Sequence, residues 1–129
     1  MDTRIDPRTV LGLAIGDAKI LRNAGARVTD DVLRGLILAV HLLGVSRIAL
    51  IHHTGCAVVG SSDEALRAQV EEASRTDAAA TSFLAVPDPA TAVRHDRAVI
   101  AACPLLPDDL VVGGFVLDLD TGELRTLDA

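Results

Sequence analysis

The apolar run at residues 47–53 constrains the fold of this chain more than any other feature. It reads Arg-Ile-Ala-Leu-Ile-His-His, without the polar alternation of a strand that has one face in water. Runs of this kind suit a parallel strand that is covered on both faces. Thr54, Gly55 and Cys56 follow the run and predict a turn at its carboxyl end.

Helix signals lie on both sides of this run. Thr29 is a capping residue followed by two acidic residues, and Gly44 is a natural end for the helix that it opens. Ser61 and Glu64 have the spacing of a capping box. The two signals predict helices over residues 30–43 and 61–75.

A third helix is predicted from Asp88, an N-cap followed by Pro89 at the first helical position, to about residue 102. Short apolar segments between the helices predict the strands. We expect parallel strands near 17–22, 47–53, 82–86 and 110–118, and a short antiparallel return at 124–127. Strands that alternate with helices in this way indicate an α/β fold with a mostly parallel sheet flanked by helices.

Length and composition indicate one globular domain over residues 1–129. Half of the residues are apolar, which excludes a disordered chain. The two phenylalanines, Phe83 and Phe115, are its only aromatic residues, so the core is built from aliphatic side chains.

Charge and hydropathy exclude several classes of partner. The net charge of -6 opposes binding to nucleic acid, and aromatic platforms for single strands are lacking. No apolar run approaches transmembrane length, so we expect no membrane partner. The first residues do not resemble a signal peptide, and the two cysteines are too few for a disulfide scaffold. We therefore expect a cytoplasmic protein with reduced thiols.

His53 and Cys56 are the most chemically suggestive pair. They stand three residues apart across a glycine turn, at the carboxyl end of a predicted parallel strand, where open α/β sheets place their ligands. Imidazole nitrogen and thiolate sulfur are zinc ligands. Taken alone, the pair is a weak signal, and the simpler interpretation, a strand-end histidine beside a buried cysteine, is favoured without further context.

Several ordered stretches supply that context. Met1-Asp2-Thr3-Arg4 opens the chain, and His52-His53-Thr54-Gly55-Cys56 closes the predicted strand. Together with four further segments, they make the chain resemble the β-class carbonic anhydrases nearly from end to end. The other matching segments are 20–25, 28–34, 104–107 and 114–118.

The resemblance implies a zinc ion held by Cys, His and Cys, from a Cys-x-Asp-x-Arg motif and a later His-x-x-Cys motif. His53 and Cys56 match the later motif, and Asp2 and Arg4 match the Asp and Arg of the first. The first Cys would fall immediately before Met1. It is absent from this chain, as are the strand that leads to it and the amino-terminal helix of the family.

The resemblance also implies a reaction, the reversible hydration of carbon dioxide to bicarbonate by a zinc lyase. Zinc lowers the pKa of its bound water to near 7, and the resulting hydroxide attacks carbon dioxide. Asp2 would accept a hydrogen bond from that water, and Arg4 would hold Asp2 off the metal. With the first Cys absent, we expect this activity to be impaired in the chain as given.

Two residues beside the expected metal depart from the family pattern. Gly55 stands where the family often has Asp, and Ala57 where it usually has Gly. Three hypotheses stay open. The chain is part of a longer enzyme in which Met1 is internal; or it is an inactive relative that acts as a binding or structural oligomer; or it is an enzyme that hydrolyses carbon disulfide or carbonyl sulfide.

The helix predicted over residues 30–43 carries apolar residues around most of its circumference. A small domain cannot surround such a helix, so we expect a homodimer or larger homo-oligomer in which this helix contributes to the contact.

The remaining polar residues have simpler interpretations. His52 points to the opposite face of the strand from His53 and is interpreted as a packed histidine. His95 is expected on a solvated helix face, and Cys103 in the core. Arg22 and Asn23 are expected to fix the loop beside the site.

Overall fold

The computed structural model describes residues 1–127, which form five helical elements and three strands. The helices are α1 (Pro7–Leu11), a 3₁₀ turn (Ala24–Ala26), α2 (Asp30–Leu43), α3 (Asp63–Ser74) and α4 (Pro89–Ala101). The strands are β1 (Arg47–His53), β2 (Val111–Leu117) and β3 (Leu124–Thr126). The predicted α/β class is confirmed.

Strand β2 lies at the centre of the sheet. It pairs in parallel with β1, with Arg47 opposite Val111 and His53 opposite Leu117, and antiparallel with β3. The sheet order is therefore β1-β2-β3, and within residues 1–127 the outer edge of β1 has no neighbouring strand. The strands predicted at 47–53 and 110–118 and the antiparallel return are confirmed.

The predicted boundaries of α2 and α4 are confirmed by their caps. The Thr29 hydroxyl accepts from the Val32 amide at 3.5 Å, and Gly44 ends α2 in the left-handed conformation. Asp88 caps α4 by accepting from the Thr91 amide at 2.8 Å. These helices begin and end where local side-chain chemistry satisfies their terminal backbone groups.

The predicted strand at 17–22 is wrong. This segment is irregular, and Ile20 and Leu21 are 41% and 55% exposed. A strand is stabilised by hydrogen bonds to a neighbour. The described part of the chain places no strand beside this segment.

The predicted strand at 82–86 is also wrong, and Asp63 supplies the reason. Its carboxylate accepts from the amides of Phe83 at 3.1 Å and Ala85 at 2.7 Å, which takes up donors that a strand would give to a neighbour. Leu84 between them has a positive φ of 56°. What remains of the strand is a single parallel bridge between Val59 and Val86.

Helix α3 is attached to the rest of the protein by polar contacts. The predicted cap Ser61 is wrong by one residue, because Ser62 accepts from the Ala65 amide at 3.1 Å and is the N-cap. No residue of α3 is buried. Besides the contacts of Asp63, the Glu71 carboxylate accepts from the Ala78 amide at 2.9 Å, and Arg67 Nε donates to the Thr81 carbonyl at 2.7 Å.

The core lies between β1, α4 and α2. Its buried members are Val28, Ile48, Leu50, Val93, Ile100 and Leu106. Helix α2 packs one side against this core. On its other side Leu38, Leu42 and Leu43 are exposed in the single chain. No helix in the described range is both long and apolar enough to span a bilayer.

Helix α4 packs tightly against the sheet at Gly114. A β-carbon there would lie 2.4 Å from Cγ1 of Val93, which is fully buried. We therefore expect Gly114→Ala to lower the free energy of unfolding by about 1–3 kcal/mol, since the strand or the helix must shift. Urea denaturation measures the change.

Gly35→Ala is the matched control. A β-carbon at Gly35 would lie 3.3 Å from Cδ1 of Leu21, the end of an exposed and flexible side chain. Alanine inside a helix is favoured over glycine by up to about 1 kcal/mol, so this variant should be neutral or stabilised. Equal effects of the two substitutions would contradict the packing argument.

Candidate active site

The turn after β1 is held in place by β2. The Thr54 amide donates to the Leu117 carbonyl at 3.0 Å, which continues the parallel ladder by one residue. The Thr54 hydroxyl accepts from the Leu119 amide at 3.0 Å. Gly55 then turns with a φ of 64°. His53 and Cys56 therefore stand on either side of a fixed turn at the carboxyl end of the sheet.

One ring nitrogen of His53 is available to a ligand. Its Nδ1 lies 2.9 Å from the Thr54 carbonyl. A carbonyl only accepts hydrogen bonds, so Nδ1 donates and Nε2 of the neutral ring carries the lone pair. His53 Nε2 lies 3.8 Å from Oδ2 of Asp2. The sequence-predicted residues His53 and Asp2 thus meet.

Arg4 holds the Asp2 carboxylate from two directions. Its Nε lies 2.9 and 3.1 Å from the two carboxylate oxygens, and its Nη2 also donates to Oδ2. The Arg4 backbone amide donates to Oδ1 at 2.9 Å. The guanidinium and amide hydrogen bonds of Arg4 hold the pKa of Asp2 well below its usual range. Asp2 is therefore an ionised acceptor whose orientation is set by Arg4.

Cys56 completes the group. Its thiol is free and half-buried, and it packs against the small apolar cluster of Val59, Val86 and Ala92. The Arg4 guanidinium lies close enough to interact electrostatically with Cys56, and its Nη2 reaches the Gly55 carbonyl at 3.5 Å. The structure brings Asp2, Arg4, His53 and Cys56 together at one end of β1.

The loop over residues 22–27, here called the anchor loop, borders this group. Arg22 donates through Nη2 to the Asp2 carbonyl, and the amino group of Met1 donates to the Asn23 carbonyl at 3.0 Å. Gly25 has a φ of 70°, and a β-carbon on it would lie 2.8 Å from Val58 Cγ1. The predicted loop-fixing roles of Arg22 and Asn23 agree with these contacts.

The residues present match zinc in kind but not in number. His53 and Cys56 offer the nitrogen and sulfur ligands that zinc prefers. Asp2 is held by Arg4 instead. Within the described residues, no three side chains of His, Cys, Asp or Glu form a cluster that could hold a metal ion. Residues 1–127 therefore do not make a three-ligand zinc site by themselves.

His52 and His95 lie on the other side of β1 from His53. His52 is 2% exposed, and burial lowers its pKa, which keeps the ring neutral. Its packing agrees with the sequence interpretation. The ring of His95 is more than half exposed, as expected of a solvated face, but its Nδ1 also lies 2.9 Å from Nη2 of Arg27.

Sequence reasoning missed Arg27 and Asp96. Both are buried, and they form an ion pair across 69 residues of sequence. One signal could have found Asp96: it lies at helical spacing with Ala92 and Ile100, on the apolar face of α4. No local signal marks Arg27 as its partner.

Comparisons with known proteins identify the family of this chain. A family model described as carbonic anhydrase matches residues 1–99. β-carbonic anhydrase 1 of Mycobacterium tuberculosis is 35% identical over 127 residues, 97% of this chain and 76% of that protein. A carbon disulfide hydrolase of Acidithiobacillus thiooxidans is 29% identical over 99% of this chain and 70% of its own length.

A solved structure extends the comparison to the fold. The carbonic anhydrase of Streptococcus mutans superimposes with a TM-score of 0.93 at 41% identity, covering 99% of this chain and 77% of that one. The matched range contains Asp2, Arg4, His53 and Cys56, the residues that meet at the end of β1. With its α/β fold and this group of side chains, the chain belongs to the carbonic anhydrase family and is β-carbonic anhydrase-like.

Proposed function

We propose that this chain contributes the principal part of a zinc centre that hydrates carbon dioxide reversibly to bicarbonate. In this proposal His53 and Cys56 are two zinc ligands, and a third ligand comes from outside residues 1–127. The observation that carries the proposal is the Asp2 carboxylate, which Arg4 holds 3.8 Å from the free nitrogen of His53.

The zinc ion supplies, when bound, a water that is acidic enough to ionise near neutral pH. The chain's own residues supply orientation. His53 presents Nε2 because Nδ1 is engaged by the Thr54 carbonyl. Asp2 stays ionised because of Arg4, so it accepts hydrogen bonds from a neighbouring donor and gives none. Arg4 keeps Asp2 in that acceptor role.

The ligand assignment is tested first by metal content. We expect Cys56→Ser to lose most of the zinc that the chain retains, because a hydroxyl does not replace a thiolate at zinc. Cys103→Ser is the matched control, since Cys103 packs against the apolar core instead. Elemental analysis after dialysis measures both. Equal zinc content in the two variants would overturn the assignment of Cys56.

The reaction is tested by comparing two forms of the protein. The 129-residue chain with added zinc should hydrate carbon dioxide slowly or not at all, because two ligands hold zinc poorly. A form extended by a strand segment that ends in a cysteine immediately before Met1 should be active. In that form Asp2→Asn should lower kcat/KM by about 10–100-fold, since it removes the charged acceptor. Stopped-flow hydration with a pH indicator measures the rates.

The extended form also separates the alternatives. Full activity of the 129-residue chain would contradict the requirement for a third ligand. Hydrogen sulfide release from carbon disulfide, without hydration of carbon dioxide, would favour the hydrolase hypothesis that relatives of that name suggest. Zinc binding without either activity would favour a binding or structural role.

We also propose that two copies of the chain associate through α2. The exposed side of α2 adjoins Leu105, which is 60% exposed, and carries Leu38 and Leu42. Asp30 and Arg34 border the same apolar face, one helical turn apart. Association of two copies about a two-fold axis would cover this apolar face of α2 in both copies at once.

Light scattering tests this contact. We expect a dimer or larger assembly, and we expect Leu38→Lys with Leu42→Lys to give monomers, because two desolvated lysines oppose association. Val70→Lys on α3 is the control, since Val70 is similarly exposed but lies elsewhere. A measured mass of 13.5 kDa for the unaltered chain, which is the mass of the monomer, would contradict the proposal.

A further inference from the structure

We infer that the buried ion pair between Arg27 and Asp96 is a positioning pair for the candidate active site. It holds the anchor loop (residues 22–27) against Asp2, although neither residue touches the site. The link to catalysis rests on the proposed function, whereas the link to the position of Asp2 rests on contacts within the chain.

The pair is buried and closely matched. The side chain of Arg27 is 3% exposed and that of Asp96 is fully buried. Nε of Arg27 lies 3.2 and 3.0 Å from the two carboxylate oxygens, and Nη2 lies 2.9 Å from Oδ1. The remaining donors reach the Leu84 carbonyl and His95 Nδ1. Arg27 is therefore fixed from α4 and from the segment before it.

The backbone of Arg27 passes this constraint to the anchor loop. Its carbonyl accepts from Asn23 Nδ2 at 2.7 Å, so the two ends of the loop are joined. The Asn23 carbonyl accepts from the amino group of Met1 at 3.0 Å, and Arg22 donates to the Asp2 carbonyl. A continuous series of hydrogen bonds thus runs from Asp96 on α4 to the backbone of Asp2.

The same pair lies beneath the end of β1. His52 is buried within electrostatic reach of both Asp96 and Arg27, and neither of its ring nitrogens has a hydrogen-bond partner within the described chain. The next residue is His53, on the opposite face of the strand. The pair therefore adjoins the two segments whose relative position determines the His53–Asp2 distance.

Stability alone does not account for an ion pair at this place. Apolar side chains of similar volume commonly replace a buried ion pair without loss of stability, whereas removal of one partner is strongly destabilising because a buried charge is left unpaired. An apolar pair would lack the directional hydrogen bonds of the ion pair. It would fill the space between the anchor loop and α4 but would not fix the orientation of the Arg27 backbone.

This difference gives the test. The double variant Arg27→Met with Asp96→Leu removes both charges and keeps the volume. We expect its urea midpoint to stay near that of the unaltered chain. The amide resonances of Arg4 and Ile5, which donate to Asp2, should shift, and the side-chain amide of Asn23 should lose its protection from hydrogen exchange by at least about tenfold. NMR on the metal-free chain measures all three.

The control is an exposed ion pair away from the loop. Arg125→Met on β3 removes such a pair, with Asp118, and should leave these resonances unchanged. Unchanged Arg4, Ile5 and Asn23 signals in a folded Arg27→Met/Asp96→Leu protein would overturn the inference. If that protein does not fold, the Arg27→Lys variant provides the test. Lysine keeps the charge but cannot bind Asp96 and the Leu84 carbonyl together. The Arg4, Ile5 and Asn23 signals must therefore shift in this variant.

The catalytic consequence is measured separately, in the extended form of the protein. There the Arg27→Met/Asp96→Leu substitutions should lower kcat by about tenfold with little change in KM, because Asp2 is misplaced and no substrate contact is lost. If the resonances shift but kcat is unchanged, the pair positions the anchor loop and the inferred link to catalysis is overturned. Absence of hydration in the unaltered extended form would refute the proposed function and leave the NMR result standing.

Discussion

The parallel pairing of β1 with β2 is the constraint on which the other contacts depend. Seven residue pairs, from Arg47 and Val111 to His53 and Leu117, fix how far along the sheet each strand ends. The Thr54 amide donates one more hydrogen bond to the Leu117 carbonyl, so the position of the turn after His53 is fixed relative to β2. The close approach of Val93 to Gly114 then sets α4 against the same two strands. A shift of one residue in this register would exchange the faces of His52 and His53.

Much of the fold was predictable because its signals are local. Caps and apolar periodicity lie within a few residues of the elements that they specify, which is why α2, β1 and α4 were predicted with nearly correct bounds. The segments at 17–22 and 82–86 have equally apolar residues, but a strand also requires a partner. The first segment has none in the described chain, and Asp63 takes the amides of the second. Neither the missing partner of the first segment nor the contacts of Asp63 with the second can be inferred from the composition of these segments.

The candidate site was predictable to a different extent. Spacing and ligand chemistry singled out His53 and Cys56, and the family resemblance strengthened that pair and added Asp2 and Arg4. The structure adds how they meet: which nitrogen of His53 is free, and how Arg4 holds Asp2. Arg27 and Asp96 were missed because their partnership spans 69 residues and each is ordinary in its own segment. Polar pairs of this kind depend on tertiary packing, so they become visible only once β1 and α4 are in place.

The attachment of α3 has a consequence for how the molecule opens. A helix without fully buried residues gains less from the hydrophobic effect than α2 and α4 do. Its links through Asp63, Arg67 and Glu71 all reach the same stretch, 78–85. Those links are cooperative, because each keeps the others within reach. Helix and stretch should therefore separate from the core together, as one unit of local unfolding well below the global transition. A protease that samples the native protein would cut first between residues 63 and 85, while the pairing of β1 with β2 persists.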